Sequence, residues 1–117
     1  MEPTVLENVP ENATIYKDEV FGPAVNLCRV TSMDEAIQKS NSLPFGLHAA
    51  IFTDNVNLAL KAAYNLDCGG VMINESTDYR LDSMPFGGIK NSGLGREGIK
   101  FSLQEMTEPK TICFTLK

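Results

Sequence analysis

Between residues 25 and 74, short apolar segments alternate with amphipathic ones, and this order leaves few possible folds. Strand-like apolar runs occupy residues 25–30, 49–53 and 71–74, and apolar residues at helical spacing fill the two intervals between them. Short connections between such segments predict right-handed crossovers and parallel strands. Because the strands are apolar throughout, we expect helices on both faces of the sheet. The predicted fold class is therefore α/β, an open and mostly parallel sheet with flanking helices.

Local signals place the ends of the two helices. Ser32 and Glu35 match a capping box, in which the glutamate reaches back to the serine, and they predict a helix over about residues 33–42. Asp54 is the expected N-cap of the second helix, because its carboxylate accepts bonds from free backbone N–H groups. Gly69 is the expected stop, because glycine readily adopts the left-handed conformation found at helix ends.

The chain changes character after residue 74. Residues 75–96 are polar and rich in glycine, which predicts a long loop, and loops of this length are often functional. A last helix is expected over residues 97–106. The closing residues 110–116 are typical of a β-strand, and an exposed terminal strand tends to find a pairing partner.

Composition excludes several kinds of protein. The formal net charge is −5 and the Lys and Arg residues are scattered, so a nucleic-acid partner is not expected. The sequence has neither the ~20 consecutive apolar residues of a membrane span nor the features of a signal peptide. The cysteines are three and widely spaced, which fits neither a zinc site nor a disulfide framework. We therefore expect a cytoplasmic protein without a metal site.

Two features that resemble catalytic motifs are interpreted as structural. Residues 93–98 read GLGREG and match the dinucleotide-binding pattern, but no strand runs directly into them and no acidic residue can follow at the required distance. A turn that leads into the last helix explains them better. His48 is the single histidine, and with no partner indicated nearby it is interpreted as an ordinary structural or surface residue.

Two longer motifs point to a family. Residues 18–25, DEVFGPAV, resemble the segment of aldehyde dehydrogenases in which an acidic residue and a glutamate precede Phe-Gly-Pro. Residues 85–97, PFGGIKNSGLGRE, resemble that family's Pro-Phe-Gly-Gly segment, which continues to Gly-x-Gly-Arg-Glu. Intervening segments, such as residues 70–74, follow in the expected order and spacing. The resemblance covers essentially the whole chain, and it implies the C-terminal portion of an aldehyde dehydrogenase catalytic domain.

The resemblance implies a cofactor site at the first motif. In the family, the glutamate and phenylalanine of this motif hold the nicotinamide ribose of NAD or NADP. Transferred to this chain, Glu19 would accept hydrogen bonds from the ribose hydroxyls and Phe21 would pack beside the nicotinamide. As an isolated residue, Phe21 would be interpreted as a core aromatic at a turn. For this chain alone we expect weak NAD(P) binding or none.

The second motif implies a substrate site. Phe86 would line the aldehyde tunnel, and Asn74 and Arg80 belong to the loop that shapes its entrance. Residues 79–82, YRLD, resemble members that take small hydroxy- or anion-bearing aldehydes, such as lactaldehyde or a semialdehyde. Arg80 would then pair with a substrate carboxylate or phosphonate. The alternative is a salt bridge from Arg80 to Asp78 or Asp82.

The family's reaction also needs groups that precede the first motif. These are a nucleophilic cysteine, a base and oxyanion donors, and none of the chain's three cysteines lies in the nucleophile's context. Residues 1–117 are therefore interpreted as a single partial domain that is inactive alone. Residues 110–117 would be an oligomerisation strand that joins a homo-oligomer. The alternative is a non-catalytic assembly module that retains the fold. In either case Glu19 and Phe86 are expected to converge on one cleft.

Overall fold

The computed structural model describes residues 1–116, which contain six strands and four helices. In chain order they are β1 (Thr4–Glu7), α1 (Thr14–Lys17), β2 (Ala24–Leu27), α2 (Met33–Asn41), β3 (Phe45–Gly46), β4 (His48–Ile51), α3 (Val56–Asn65), β5 (Gly70–Ile73), β6 (Ile89–Lys90) and α4 (Ile99–Glu105). None of the helices in this part of the chain has the length and apolar character that crossing a bilayer requires.

The strands form three separate pairs. β1 pairs with β2 and β4 pairs with β5, both in parallel, whereas β3 and β6 are antiparallel. α2 follows β2, and α3 connects β4 to β5. The α/β class with mostly parallel strands is confirmed, although within residues 1–116 the strands are distributed over three small sheets.

The capping signals are confirmed at the start of α2 and corrected elsewhere. The expected glycine stop at Gly69 is wrong, because α3 ends at Asn65 with the extended residue Leu66 as its C-cap, and Gly69 has no left-handed φ. The Ser32 hydroxyl accepts the backbone N–H of Glu35 at 3.2 Å, as predicted. The Glu35 carboxylate, however, accepts bonds from the N–H and hydroxyl of Thr31 rather than from Ser32. The expected N-cap Asp54 is wrong by one residue, because the side chain of Asn55 accepts the N–H groups at the start of α3.

The core of the described chain is small and lies where α2, α3 and the β4–β5 pair meet. Its buried members are Ile37, Ile51 and Ala62, with Met33, Leu66 and Val71 packed against them. These residues come from the segments whose apolar periodicity predicted the fold. The same helices are tied together by Asn41, whose amide donates to the carbonyl of Asn65 and whose oxygen accepts the N–H of Asp67.

The C-terminal third differs from the sequence interpretation in three respects. The predicted loop 75–96 contains the two-residue strand β6, and the last helix covers Ile99–Glu105 rather than residues 97–106. Residues 110–116 form no strand in the described chain, and their pairing as an oligomerisation strand stays a prediction. Phe114 is 85% exposed, so the segment lacks the partner that a strand requires. Lys117 lies outside the described residues.

Candidate functional site

The first wall of the candidate site is the edge of the β4–β5 pair. His48 on β4 lies opposite Gly70 on β5. A side chain at Gly70 would place its Cβ 2.9 Å from Cδ2 of the His48 ring. The missing Cβ therefore lets the imidazole lie across the neighbouring strand.

Phe86 forms the second wall and is held through its backbone. Its N–H donates to the carbonyl of Glu97 at 3.1 Å, and the N–H of Glu97 donates back at 2.6 Å. Residues 75–84, which follow β5 and contain no helix or strand, are called the 75–84 loop below. The isolated antiparallel bridge fixes Phe86 just after the end of this loop. The Phe86 ring then meets the His48 ring edge to face, with centroids 5.0 Å apart and planes at 83°, a preferred arrangement of aromatic pairs.

Arg80 lies on the Phe86 ring from the loop side. Its guanidinium carbon is 4.3 Å from the ring centroid, within the range of a cation–π contact. Arg80 also forms an ion pair, but neither Asp78 nor Asp82 is the partner. The pair is with Glu97, at 3.7 Å between Nη2 and Oε2, and Asp78 instead accepts a hydrogen bond from Ser76.

These walls enclose a cavity of about 160 Å³. Its lining residues are His48, Gly69, Gly70, Val71, Met72, Tyr79, Arg80, Met84, Pro85 and Phe86. The structure thus brings together two of the three expected substrate residues, Phe86 and Arg80. The apolar lining with one cation at the rim would suit a small molecule that carries an anionic end.

The glycine-rich motif supports this cavity from behind. A Cβ on Gly69 would overlap the carbonyl oxygen of Gly87, so the motif packs directly on the turn before β5. The Ser92 hydroxyl accepts the N–H of Gly46 at 2.9 Å. Lys90 donates to the carbonyl oxygen of Asn41 at 2.9 Å, at the end of α2. The side chains of Ser92 and Lys90 therefore position backbone rather than line the cavity.

Asn74 is held differently from the sequence expectation. Its side-chain oxygen accepts the N–H of Thr53 at 2.7 Å, and its amide donates to the Thr53 carbonyl at 2.9 Å. Its φ of 57° lies in the left-handed region, which asparagine tolerates better than most residues. Asn74 does not line the cavity, and it instead turns the chain from β5 into the 75–84 loop.

The first motif lies apart from this cavity. Glu19 and Phe21 do not line it, and both side chains are exposed, Phe21 to 94%. The interpretation of Phe21 as a core aromatic is therefore wrong. Asp18, next to Glu19, lines a surface depression with Leu43 and Pro44, just before β3. The cleft expected to join Glu19 and Phe86 stays a prediction.

The cysteines are free thiols and do not line the cavity. Cys28 and Cys113 are exposed, whereas Cys68 is partly covered next to Gly69. Burial raises the pKa of the Cys68 thiol, which donates to the carbonyl of Gly70 at 3.2 Å. A raised pKa lowers the thiolate fraction and thus the reactivity as a nucleophile.

His48 is the cavity residue that the sequence reasoning did not assign to a site. Its partners Gly70, Thr77 and Phe86 lie 22 or more residues away in the chain, so no local pattern marks it. The signal that was available is its position at the start of a buried strand opposite a glycine. That position indicates only that the imidazole can lie over bare backbone, because ligands of open parallel sheets usually bind at the carboxyl ends of the strands and His48 lies at an amino end.

Comparison with known proteins identifies the family to which this site belongs. A sequence model described as the aldehyde dehydrogenase family matches residues 1–112. The chain belongs to this family. Among its curated relatives, aspartate-semialdehyde dehydrogenase 1 of Pseudomonas canavaninivorans is 48% identical, with 97% of this chain and 24% of the relative covered. Lactaldehyde dehydrogenase of Methanocaldococcus jannaschii is 50% identical, also over 97% of this chain and 24% of the relative.

Solved aldehyde dehydrogenases share the fold of the chain. Aldehyde dehydrogenase 21 of Physcomitrella patens, in complex with the reaction product succinate, superposes with a TM-score of 0.88 at 42% identity, over 92% of this chain and 22% of that one. A glyceraldehyde-3-phosphate dehydrogenase of Methanocaldococcus jannaschii, complexed with NADP, gives 0.86 at 49% identity, over 94% and 24%. Members of known structure hold NAD+ or NADP. The chain spans about a quarter of the length of the relatives it matches.

Proposed function

We propose that this chain forms the substrate-entrance part of an NAD(P)-dependent aldehyde dehydrogenase. The whole enzyme would oxidise an aldehyde to a carboxylic acid through a cysteine thioester, and the nucleophile would belong to a part of the enzyme other than residues 1–117. The free thiols support this division, because the cavity is not lined by Cys28, Cys68 or Cys113. Alone, the chain would have no activity. The match to about a quarter of full-length dehydrogenases favours this function over a separate assembly module.

The proposed substrate is a short aldehyde with an anionic group at its far end. The observation that carries this proposal is the position of Arg80, whose guanidinium lies over Phe86 at the cavity wall. Guanidinium binds carboxylate and phosphate through paired N–H donors. Aspartate semialdehyde and glyceraldehyde 3-phosphate, named for two similar proteins, both carry such a group. Lactaldehyde, named for a third, has an uncharged methyl group at that end.

Glu97 does not prevent this role. Both side chains of the Arg80–Glu97 pair are well exposed, and the separation of 3.7 Å is long for a charged hydrogen bond. Exposed pairs of this kind contribute about 0–1 kcal/mol to stability. A substrate anion that reaches Arg80 from the apolar cavity, where water is partly excluded, can therefore replace the Glu97 carboxylate.

The proposed cofactor contacts are Glu19 and Phe21. The ring of Phe21 is almost fully exposed and therefore free to contact a bound molecule, and the nicotinamide ribose is the partner we propose. Asp18 lies beside Pro44, and the following strand β3 pairs with β6, which begins three residues after Phe86. These contacts connect the first motif, through β3 and β6, to Phe86, and they support a common cleft for cofactor and aldehyde.

Residues 110–116 are proposed to join subunits of a homo-oligomer. Ile112, Phe114 and Leu116 are exposed and alternate along a segment that forms no strand in the isolated chain. Alternation of this kind suits addition to the edge of another chain's sheet. We also propose that the protein works in the cytoplasm, where free thiols remain reduced.

The substrate proposal is tested by titrating the ¹⁵N-labelled chain with succinate and lactate, as anions without an aldehyde. We expect shift changes at Arg80 and around Phe86, and at least a threefold weaker binding in Arg80→Gln. The matched control is Arg29→Gln, which removes an equal charge from the exposed pair with Glu7. Equal losses in the two variants would show that binding follows net charge, and the proposal would be wrong.

A further inference from the structure

His48 contacts two parts of the site at once. Its Nδ1 lies 3.1 Å from the carbonyl oxygen of Thr77, in the middle of the 75–84 loop. A carbonyl only accepts, so Nδ1 must carry the hydrogen and donate it. The other contact is the edge-to-face packing on Phe86. One side chain thus connects β4, the loop and the aromatic wall.

The position of the imidazole is built into the sheet. Nε2 lies 3.0 Å from the point where a Gly70 Cβ would be, so the ring rests on the bare backbone of β5. Because β4 and β5 are paired in register at these two residues, the ring is fixed relative to the sheet. It offers a rigid anchor to whatever packs on it.

The 75–84 loop otherwise relies mainly on short-range bonds. Tyr79 N–H donates to the Ser76 carbonyl, and Met84 N–H donates to the Leu81 carbonyl. Such turns shape the loop but do not attach it to the rest of the protein. The contacts of Arg80 with Glu97 and Phe86 attach the loop to the C-terminal part of the chain, and the His48–Thr77 bond attaches it to the sheet.

We propose that His48 is a positioning residue for the substrate site. It holds the 75–84 loop through Thr77 and orients Phe86, and the two contacts together place the Arg80 guanidinium at the cavity. That Arg80 on this loop binds a substrate anion rests on the proposed function, whereas the anchoring of the loop by His48 does not. His48 touches no reacting atom in this role and is not a catalytic residue.

The anchoring is tested by limited proteolysis with trypsin. Cleavage after Arg80 reports opening of the loop, and cleavage after Arg29, which is 82% exposed, is the internal reference in the same digest. His48→Ala removes both contacts and should raise the ratio of the two rates about fivefold, as expected for one lost hydrogen bond. His48→Asn keeps an N–H donor near the position of Nδ1 and should stay within about twofold of the wild type.

A third variant separates the two contacts of the ring. His48→Phe retains an aromatic ring for Phe86 but cannot donate to Thr77, so cleavage after Arg80 should be as fast as in His48→Ala. Three results would overturn the proposal: unchanged cleavage in His48→Ala, full protection in His48→Phe, or no rescue in His48→Asn. Loss of amide protection in α2 in all variants would also contradict it, because His48 would then support the whole fold rather than the loop.

The outcome of the proteolysis experiment does not depend on whether the proposed substrate is correct. If Arg80→Gln has no effect on succinate binding but His48→Ala releases the loop, the proposed substrate is wrong and the anchoring stands. If Arg80→Gln weakens binding and the loop is insensitive to His48, the substrate assignment stands and the anchoring is wrong.

Discussion

The Arg80 guanidinium lies 4.3 Å from the centre of the Phe86 ring, while its exposed ion pair with Glu97 is long, at 3.7 Å. The aromatic contact and the ion pair act on different faces of one group. The ring fixes where the positive charge lies, and the carboxylate occupies the place that we propose for a substrate anion. This competition leads to the first prediction.

Removing the charge of Glu97 should strengthen anion binding. In Glu97→Gln the carboxylate no longer competes for Arg80, so succinate should bind about two- to fivefold more tightly, the free energy of one exposed ion pair. The backbone bridge to Phe86 does not depend on the side chain and should persist. Isothermal titration measures the change. Glu108→Gln, in the exposed segment after α4, removes the same charge elsewhere, and an equal gain there would refute the competition.

The glycine-rich motif, residues 85–97, packs closely on the turn before β5. One methyl group added at this contact should therefore strongly destabilise the fold. Gly69→Ala would place its Cβ in overlap with the Gly87 carbonyl oxygen. Relieving this overlap requires a shift of the backbone at residue 69 or residue 87. We expect a loss on the order of 3 kcal/mol in the free energy of unfolding, measured by urea denaturation. Gly22→Ala is the control, since its Cβ would meet only flexible side chains, with Met1 at 3.6 Å. Equal stability of the two variants would show that the motif does not pack as described.

The link between the two long helices gives a second stability prediction. Asn41→Ala removes one hydrogen bond to Asn65 and one from Asp67, and should cost about 1–2 kcal/mol in the free energy of unfolding. Asn57→Ala, on the exposed first turn of α3, should change it by less than about 0.5 kcal/mol. The comparison uses thermal or urea unfolding. A loss no larger at Asn41 than at Asn57 would contradict the role of this link.

Acid stability should depend on Glu35. The N–H and hydroxyl of Thr31 lower the pKa of the Glu35 carboxyl below its ordinary 4.5. A carboxyl with a depressed pKa stabilises the fold above the unfolded value, and the contribution is lost as pH falls through the folded value. The urea concentration at the midpoint of unfolding should therefore decrease less steeply below about pH 4.5 in Glu35→Gln than in the wild type. Glu108→Gln should leave that fall unchanged, and an identical slope in wild type and Glu35→Gln would exclude the effect.

The C-terminal segment predicts concentration-dependent association. We expect light scattering of the wild-type chain to show oligomers, because Ile112 and Phe114 are exposed without a partner. The double variant Ile112→Glu/Phe114→Glu should shift the mass towards the monomer. Thr111→Glu/Thr115→Glu adds the same charge on the alternate face of the segment. A clean monomer for the wild-type chain, or equal shifts for both double variants, would argue against pairing through this segment.

Local chemistry explains the part of the fold that the sequence predicted. Ser32 caps α2 as expected, and the alternation of apolar segments placed β2, β4, β5 and the helices between them. The error at the start of α3 is small, because Asp54 and Asn55 have similar capping ability and adjacent positions. Residues 110–116 show the limit of local pattern, since β propensity forms a strand only when a partner edge is present.

The site depends on contacts between distant residues and was less predictable. Ser92 and Gly46 are 46 positions apart, and Gly69 meets Gly87, so no periodicity shows that the motif packs on β5. The sequence offered the nearby Asp78 and Asp82 as alternative ion partners of Arg80, but the chain bends to bring Glu97 to it. Resemblance to the family selected Arg80 and Phe86, which line the cavity, whereas geometry alone identified His48.

We propose that the cavity between Phe86, His48 and Arg80 receives the anionic end of an acidic aldehyde. Intermolecular NOEs from the methyl group of ¹³C-labelled lactate to aromatic protons of the chain test it most directly. We expect contacts to the Phe86 and His48 rings that disappear in Arg80→Gln. NOEs to Phe101, which lines a separate apolar depression at α4, or equal NOEs in Arg80→Gln, would show that this cavity is not the anion site.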